Sequence, residues 1–190
     1  WWEAIAFDLL GHSYRRQDQN APALDHLERG LTLSKKIGDP VLTGRILNHI
    51  GFTYFNEGRH EEALRAHTEA HRLLESQVHD PQGTGDLAES LHGLAENLNF
   101  MGRFRESITQ FVASIQTSGR VGNRSLVAEN QYMIAYTRLV QGEYADGQRE
   151  IQRSLATVEE IGDIRNRAAA SMIASRIAST LGNFGNALAL

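Results

Sequence analysis

Three histidines in one short stretch, His60, His67 and His71 of HEEALRAHTEAH, carry the clearest chemical potential in this chain. His67 and His71 stand four apart, so a helix would place both imidazoles on one face at a spacing that suits a metal ion. The rest of a metal site does not follow. The HExxH arrangement is not completed, and the chain has no cysteine to add a ligand. His60 and His67 therefore read as structural residues, and no metal is expected. Carboxylate pairs such as Glu61-Glu62 and Glu159-Glu160 read as solvated helix ends, the default place for charge. GxxxxGKS/T, GxGxxG and GxSxG elements are absent, so neither phosphate cradle nor nucleophile elbow is expected. The expectation is a chain without catalytic residues or cofactor.

Composition narrows the partners. At 190 residues and 41% hydrophobic content the chain can bury a substantial core in one or two domains. A net charge of −4 with a pI near 6.1 supplies no basic field, so no direct nucleic-acid contact by this segment is expected. The lack of cysteine removes disulfides and suits a cytoplasmic protein. No apolar run reaches the ~20 residues of a membrane span, and no charged-then-apolar leader is present, so no membrane partner is expected. The chain begins Trp1-Trp2 without Met and ends inside a repeat at Ala187-Leu188-Ala189-Leu190, the pattern of a segment cut from a longer protein.

The elements that must position any site are written most clearly between Gly44 and Ala70. Ile46, Leu47, Ile50, Tyr54 and Phe55 fall at helical spacing, Gly58 breaks the pattern, and Ala63, Leu64, His67, Ala70, Leu73 and Leu74 resume it. That is a helical hairpin with a tight turn over Asn56-Glu57-Gly58-Arg59. Gly51 and Ala63 are expected to face one another and let the two backbones approach closely. Aligned on Gly51, a small residue recurs as Gly11, Ala95, Ala135 and Ser175, at steps of 40, 44, 40 and 40. The large or apolar residue before it is Leu10, Ile50, Leu94, Ile134 or Ala174. The turn position reads Asp18, Gly58, Gly102, Gly142 and Gly182 on the same steps. Two residues later stand Asn20, His60, Phe104, Tyr144 and Phe184, and the second small residue is Ala23, Ala63, Ser107, Gly147 or Ala187.

Nine or ten antiparallel helices follow. The first spans Ala4 to Arg16. Asn20-Ala21-Pro22 caps a second that runs to about Ile37, and Gly38-Asp39-Pro40 ends it and starts the next. Later helices cover Asp86 to Phe100, Phe104 to Ser118, Ser125 to Val140, Tyr144 to Ile161 and Arg165 to Thr180. Between repeats two and three, His79-Asp80-Pro81-Gln82-Gly83-Thr84-Gly85 holds the four extra residues of the 44-residue step and reads as the longest loop.

The order Ile50-Gly51, Tyr54, Gly58, Ala63, Ala70 resembles the tetratricopeptide repeat signature. A period near 40 rather than the commoner 34 resembles the long repeats of bacterial signal-transduction regulators, and eukaryotic cargo and polarity adaptors use similar ones. The resemblance implies an all-α, right-handed α-solenoid of about five hairpins in a single domain, the last incomplete. Their approximate spans are 4–38, 40–78, 85–120, 124–162 and 164–190. It implies binding rather than chemistry. Carried across residue by residue, the family's groove positions are Asp8 and His12; Asn48, Phe52 and Asn56; His92, Glu96 and Asn99; Tyr132 and Tyr136; Met172 and Arg176. Such a row of aromatics, amides and both charges suits an extended peptide or a partner helix. Where the chaperone-binding subclass holds a carboxylate with Lys and Arg, this chain has Asp8, Asn48, His92 and Tyr132, so that clamp is absent.

Two readings stay open. One is an interaction module, the partner-sensing segment of a bacterial regulatory protein, with a protein or peptide segment in its groove. The other is a spacer or homo-oligomerisation segment that associates through the ends of the array, in which case Phe52, Tyr132 and Tyr136 pack between repeats.

Overall fold

The structure is a computed structural model, described here for residues 1–182. Nine α-helices and no strands occur among the described residues: α1 (Trp2–Arg15), α2 (Asn20–Ile37), α3 (Pro40–Asn56), α4 (His60–Leu74), α5 (Pro81–Phe100), α6 (Phe104–Arg120), α7 (Arg124–Val140), α8 (Tyr144–Ile161) and α9 (Ile164–Thr180). The expected positions Phe184 and Ala187 lie outside the described residues.

Local chemistry explains where the helices begin and stop. Asp39 accepts from the Leu42 N–H at 3.0 Å, and Pro40 sits in the first turn of α3, where its missing N–H is no loss. Asn123 and Asp163 cap α7 and α9 in the same way. At the hairpin turns Gly58, Gly102, Gly142 and Gly182 all hold φ near +75°, a conformation that favours glycine. Asp18 takes that place in the first hairpin at φ 58°, consistent with the tolerance of Asp for the left-handed region.

Two expectations are corrected. Asn20 is the first residue of α2 and not its cap; Gln19 occupies the cap position, and the buried Asn20 Oδ1 has no hydrogen-bond partner. The stretch from Pro81 to Gly85 is not a loop. A short 3-10 turn, Glu75–Gln77, follows α4, and α5 starts at Pro81 with Asp80 accepting from the Gly83 N–H at 2.9 Å. Gly83 is buried, and a Cβ there would lie 2.8 Å from the Gln77 carbonyl oxygen, so its glycine serves close packing and not a flexible joint. Gly51, in addition, meets a residue the spacing did not single out for it: a Cβ on it would lie 2.6 Å from the His67 imidazole.

That last contact belongs to a regular scheme. Sixteen residues beyond the small residue of each hairpin stand Leu27, His67, Phe111 and Ile151, all at most 2% exposed. A Cβ on Gly11 would lie 2.4 Å from Leu27, as one on Gly51 would press on His67. In the first two hairpins the small residue of the first helix thus makes room for the large residue of the second.

The chain packs as two compact units, one ending at Ser107 and the other beginning at Ile108, a boundary inside α6. In the first unit, Ala4, Leu27, Leu42, Ile46, Ile50 and Ala66 form a core backed by Ile5, Leu24, Leu31, Leu33 and Tyr54. In the second, Ala135, Ile151, Ala170, Ile173, Ala174 and Ile177 do so, with Tyr132, Tyr136, Leu139 and Leu155 against them.

Candidate partner-binding site

In the first unit α3 packs against both α1 and α5, which brings polar side chains of three first helices together. Asp8, His12 and Arg15 lie along one face of α1 at spacings of four and three. Arg45, Asn48, His49 and Phe52 do the same on α3, and Asp86, Glu89, His92 and Glu96 on α5.

The cluster is tied from α1 to α3. Asp8, 1% exposed, accepts from Arg45 Nε at 2.9 Å and lies 2.7 Å from His49 Nδ1. His12 stacks at a tilt on His49, centroids 4.5 Å apart, and its Nδ1 lies 3.4 Å from Arg15 Nη2. Burial, then His49 and Arg15, lowers the His12 pKa to about 4, so the ring is neutral near pH 7. Arg15 stands over the Phe52 ring at 5.5 Å, a cation–π contact. Its Nε is buried without a partner, and its charge is favoured by Glu89 and Glu96 from α5 while burial opposes it.

Behind Phe52 lies His67, with centroids 4.6 Å apart edge to face, and beside it His92 at 6.2 Å. His92 Nε2 is 3.5 Å from Glu96. The His67 imidazole is completely enclosed between Gly51 of α3 and Gly93 of α5. Its Nδ1 lies 3.3 Å from Asn48 Oδ1, while Nε2 has no partner. Burial, reinforced by His92, Arg15 and His49, lowers its pKa to about 3. The ring is an uncharged spacer, as the sequence suggested. His60 stacks on Phe100 at 3.8 Å.

Two groove expectations do not survive as ligand contacts in this unit. Asn48 is fully buried, its Nδ2 donating to the Asp86 carbonyl at 2.7 Å, and Asp8 is enclosed by its two basic partners. Both hold α3 to its neighbours instead. Asn99 is 9% exposed, with Oδ1 unpartnered, and Asn56 is exposed at the end of α3. His12, Phe52, His92 and Glu96 do come together. Arg15, Arg45, His49, Asp86 and Glu89 were missed. The signal for Arg15 was its helical spacing from Asp8 and His12; the others flank groove positions on the same faces.

In the second unit Tyr132 and Tyr136 are half-buried against the core. The Tyr132 hydroxyl donates to Glu129 at 3.1 Å, and Arg176 stands 5.7 Å above the Tyr136 ring. Met172 is 61% exposed. Tyr136 and Arg176 thus meet between α7 and α9.

Comparison with known proteins agrees with the helical-repeat fold. A family profile for the tetratricopeptide repeat matches residues 42–118. A Rap protein complexed with Competence and Sporulation Factor superposes with a TM-score of 0.84 at 14% identity, over 98% of this chain and 51% of that one. Residues 42–118 thus carry the tetratricopeptide-repeat pattern, and the chain has the fold of tetratricopeptide arrays. The Rap conjugation gene regulator, solved with a Phr peptide, resembles this chain at a TM-score of 0.78 and 14% identity, over 95% of this chain and 49% of that one. The human protein O-mannosyl-transferase TMTC1 is 31% identical over 115 residues, 60% of this chain. The array spans 11% of that curated relative's length. Among the described residues no helix is long and apolar enough to cross a membrane.

Proposed function

We propose that this tetratricopeptide array is the partner-sensing segment of a bacterial regulatory protein, working in the cytoplasm, and that the face built by α1, α3 and α5 binds an extended protein or peptide segment. One observation carries the reading: Phe52 is half-buried, braced from behind by His67 and flanked by Arg15 and His92. A ring fixed in this way offers apolar area to a partner at little further loss of side-chain freedom, the property of a binding anchor. Polar groups around it can orient a peptide main chain. The Rap regulator solved with a Phr peptide has the same fold and supports the choice of ligand. Tyr132, Tyr136, Met172 and Arg176 supply a second patch for the same class of partner.

Selection from a displayed library of unstructured peptides tests this. Peptides should be recovered, and Phe52→Ala should weaken them by about tenfold, some 1.4 kcal/mol, with the fold intact. Recovered peptides indifferent to Phe52→Ala would overturn the assignment. The spacer reading draws on exposed apolar residues of α1, Trp2 at 77% and Leu9 at 62%. It requires concentration-dependent self-association that Trp2→Ser with Leu9→Ser abolishes.

A further inference from the structure

Asp86 stands out among the groups that the contacts above leave unused. It is 7% exposed, its carboxylate makes no hydrogen bond or ion pair with the described residues, and Oδ2 is sealed from solvent. From outside α5, its backbone carbonyl accepts from Asn48. Arg45, whose charge acts on Asp86, is committed to Asp8 at 2.9 Å. One turn along α5, the half-buried Glu89 likewise forms no ion pair among the described residues. Four carboxylates (Asp8, Asp86, Glu89, Glu96) thus stand among two guanidiniums (Arg15, Arg45), with His49 on Asp8 and His92 beside Glu96, while the rings of His12 and His67 are neutral.

A buried carboxylate without a donor is costly unless something supplies one. Resting on the peptide-binding reading above, we infer that Asp86 and Glu89 form a cation subsite, which takes the guanidinium or ammonium of an Arg or Lys in the bound segment. Phe52 holds the neighbouring part of that segment. The donor set fits: a planar guanidinium can give parallel N–H bonds to a carboxylate, and the surplus of acid on this face draws it in.

The protonation state of Asp86 gives the subsite a signature. Burial above all, with Glu89, Asp8 and Asp80 adding to it and Arg45 opposing, pushes the carboxyl up to about 7. A cation bound beside it favours the ionised form, so binding near pH 7 should release a proton.

Capped peptide pools of one length, with Arg, Lys, Ala or Glu at one fixed position and mixtures elsewhere, serve as probes against the full 190-residue chain. Arg and Lys pools are expected to bind about tenfold more tightly than Ala or Glu pools. Calorimetry at pH 7 in two buffers of different ionisation enthalpy should register proton release for the basic pools alone. Asp86→Asn, which keeps the shape of the neutral acid, and Glu89→Gln should each remove most of the preference, and Asp86→Asn the proton release. Pools that bind without preference for a base, or a preference that survives both substitutions, would overturn the cation subsite and leave peptide binding standing. If no pool binds, the peptide reading falls and the subsite with it.

Discussion

The imidazole of His67 occupies the space that any side chain on Gly93 would need, since a Cβ there would lie 2.3 Å from Cε1. Gly51 presses on the opposite side at 2.6 Å. One histidine of a second helix therefore sets the distance between two first helices, α3 and α5, which carry most of the candidate site.

Gly93→Ala should destabilise the protein by roughly 1–3 kcal/mol through overpacking. Denaturant unfolding of Gly93→Ala, His67→Ala and the double variant provides the check. The double variant should be more stable than the sum of the singles implies, because the smaller side chain at 67 admits the new methyl. Strict additivity would mean that the two residues do not share this space.

His67→Leu should be tolerated and should flatten the acid side of the stability profile. Leu, Phe and Ile fill the matching positions 27, 111 and 151. In the folded chain His67 titrates at about 3 against 6.5 ordinarily, so the unfolded chain binds the extra proton first and stability falls as pH drops from about 6.5 towards 3. Protonation would also leave an enclosed N–H on Nε2 with no acceptor. Melting temperature against pH reads this directly; an acid limb unchanged in His67→Leu would assign the loss to other groups.

Asp86→Asn should act on the opposite limb. The carboxyl is raised from 3.8 to about 7 in the folded chain, so the folded state holds a proton that the unfolded state has released, and stability falls as pH rises between those values. Above pH 7 the substitution should stabilise by roughly 1–3 kcal/mol, as removal of a buried unpaired charge does. Below pH 4 it should change little. A destabilising Asp86→Asn at pH 8 would show that the carboxylate has a partner.

Asp80→Ala should loosen the start of α5. The lost cap costs about 1 kcal/mol, and native-state limited proteolysis should shift towards residues 78–85 in the variant. In the parent chain, cleavage should favour the exposed stretch from Val78 to Asp80 over Gly83 and Thr84, which are buried in the first turns of α5. Cuts centred on Gly83 in the parent would restore the loop.

The helices were legible because their ends are written in local chemistry. Gly58, Gly102 and Gly142 mark left-handed turns, and Pro40 beside Asp39 marks a start; each signal lies within four residues of its effect. The same composition misled at Pro81 to Gly85, where turn-like residues form helix, because the contact that requires Gly83 comes from Gln77 by packing and not by propensity. In the site, Phe52 and His92 followed from repeat position. The pairing of Asp8 with Arg45 and His49, 37 and 41 residues away, had no local trace. It consumes a carboxylate that groove position alone assigned to a ligand. Arg15 could have been found from its spacing on α1.

Asp80 and the added turn of α5 also bear on how hairpins recognise their own partners. The first helices α3, α7 and α9 each have 17 residues, whereas α5 has 20 and is preceded by its own 3-10 turn. Near-equivalent hairpins can exchange places within a chain or between neighbouring copies, the characteristic failure of repetitive folds. An interval of 44 residues among intervals of 40 works as a parity mark: a hairpin that docks one place out of step meets a helix of the wrong length and a spare turn with nowhere to pack. The irregular joint makes the arrangement of the repeats unique, which a perfectly periodic chain of this kind would not achieve.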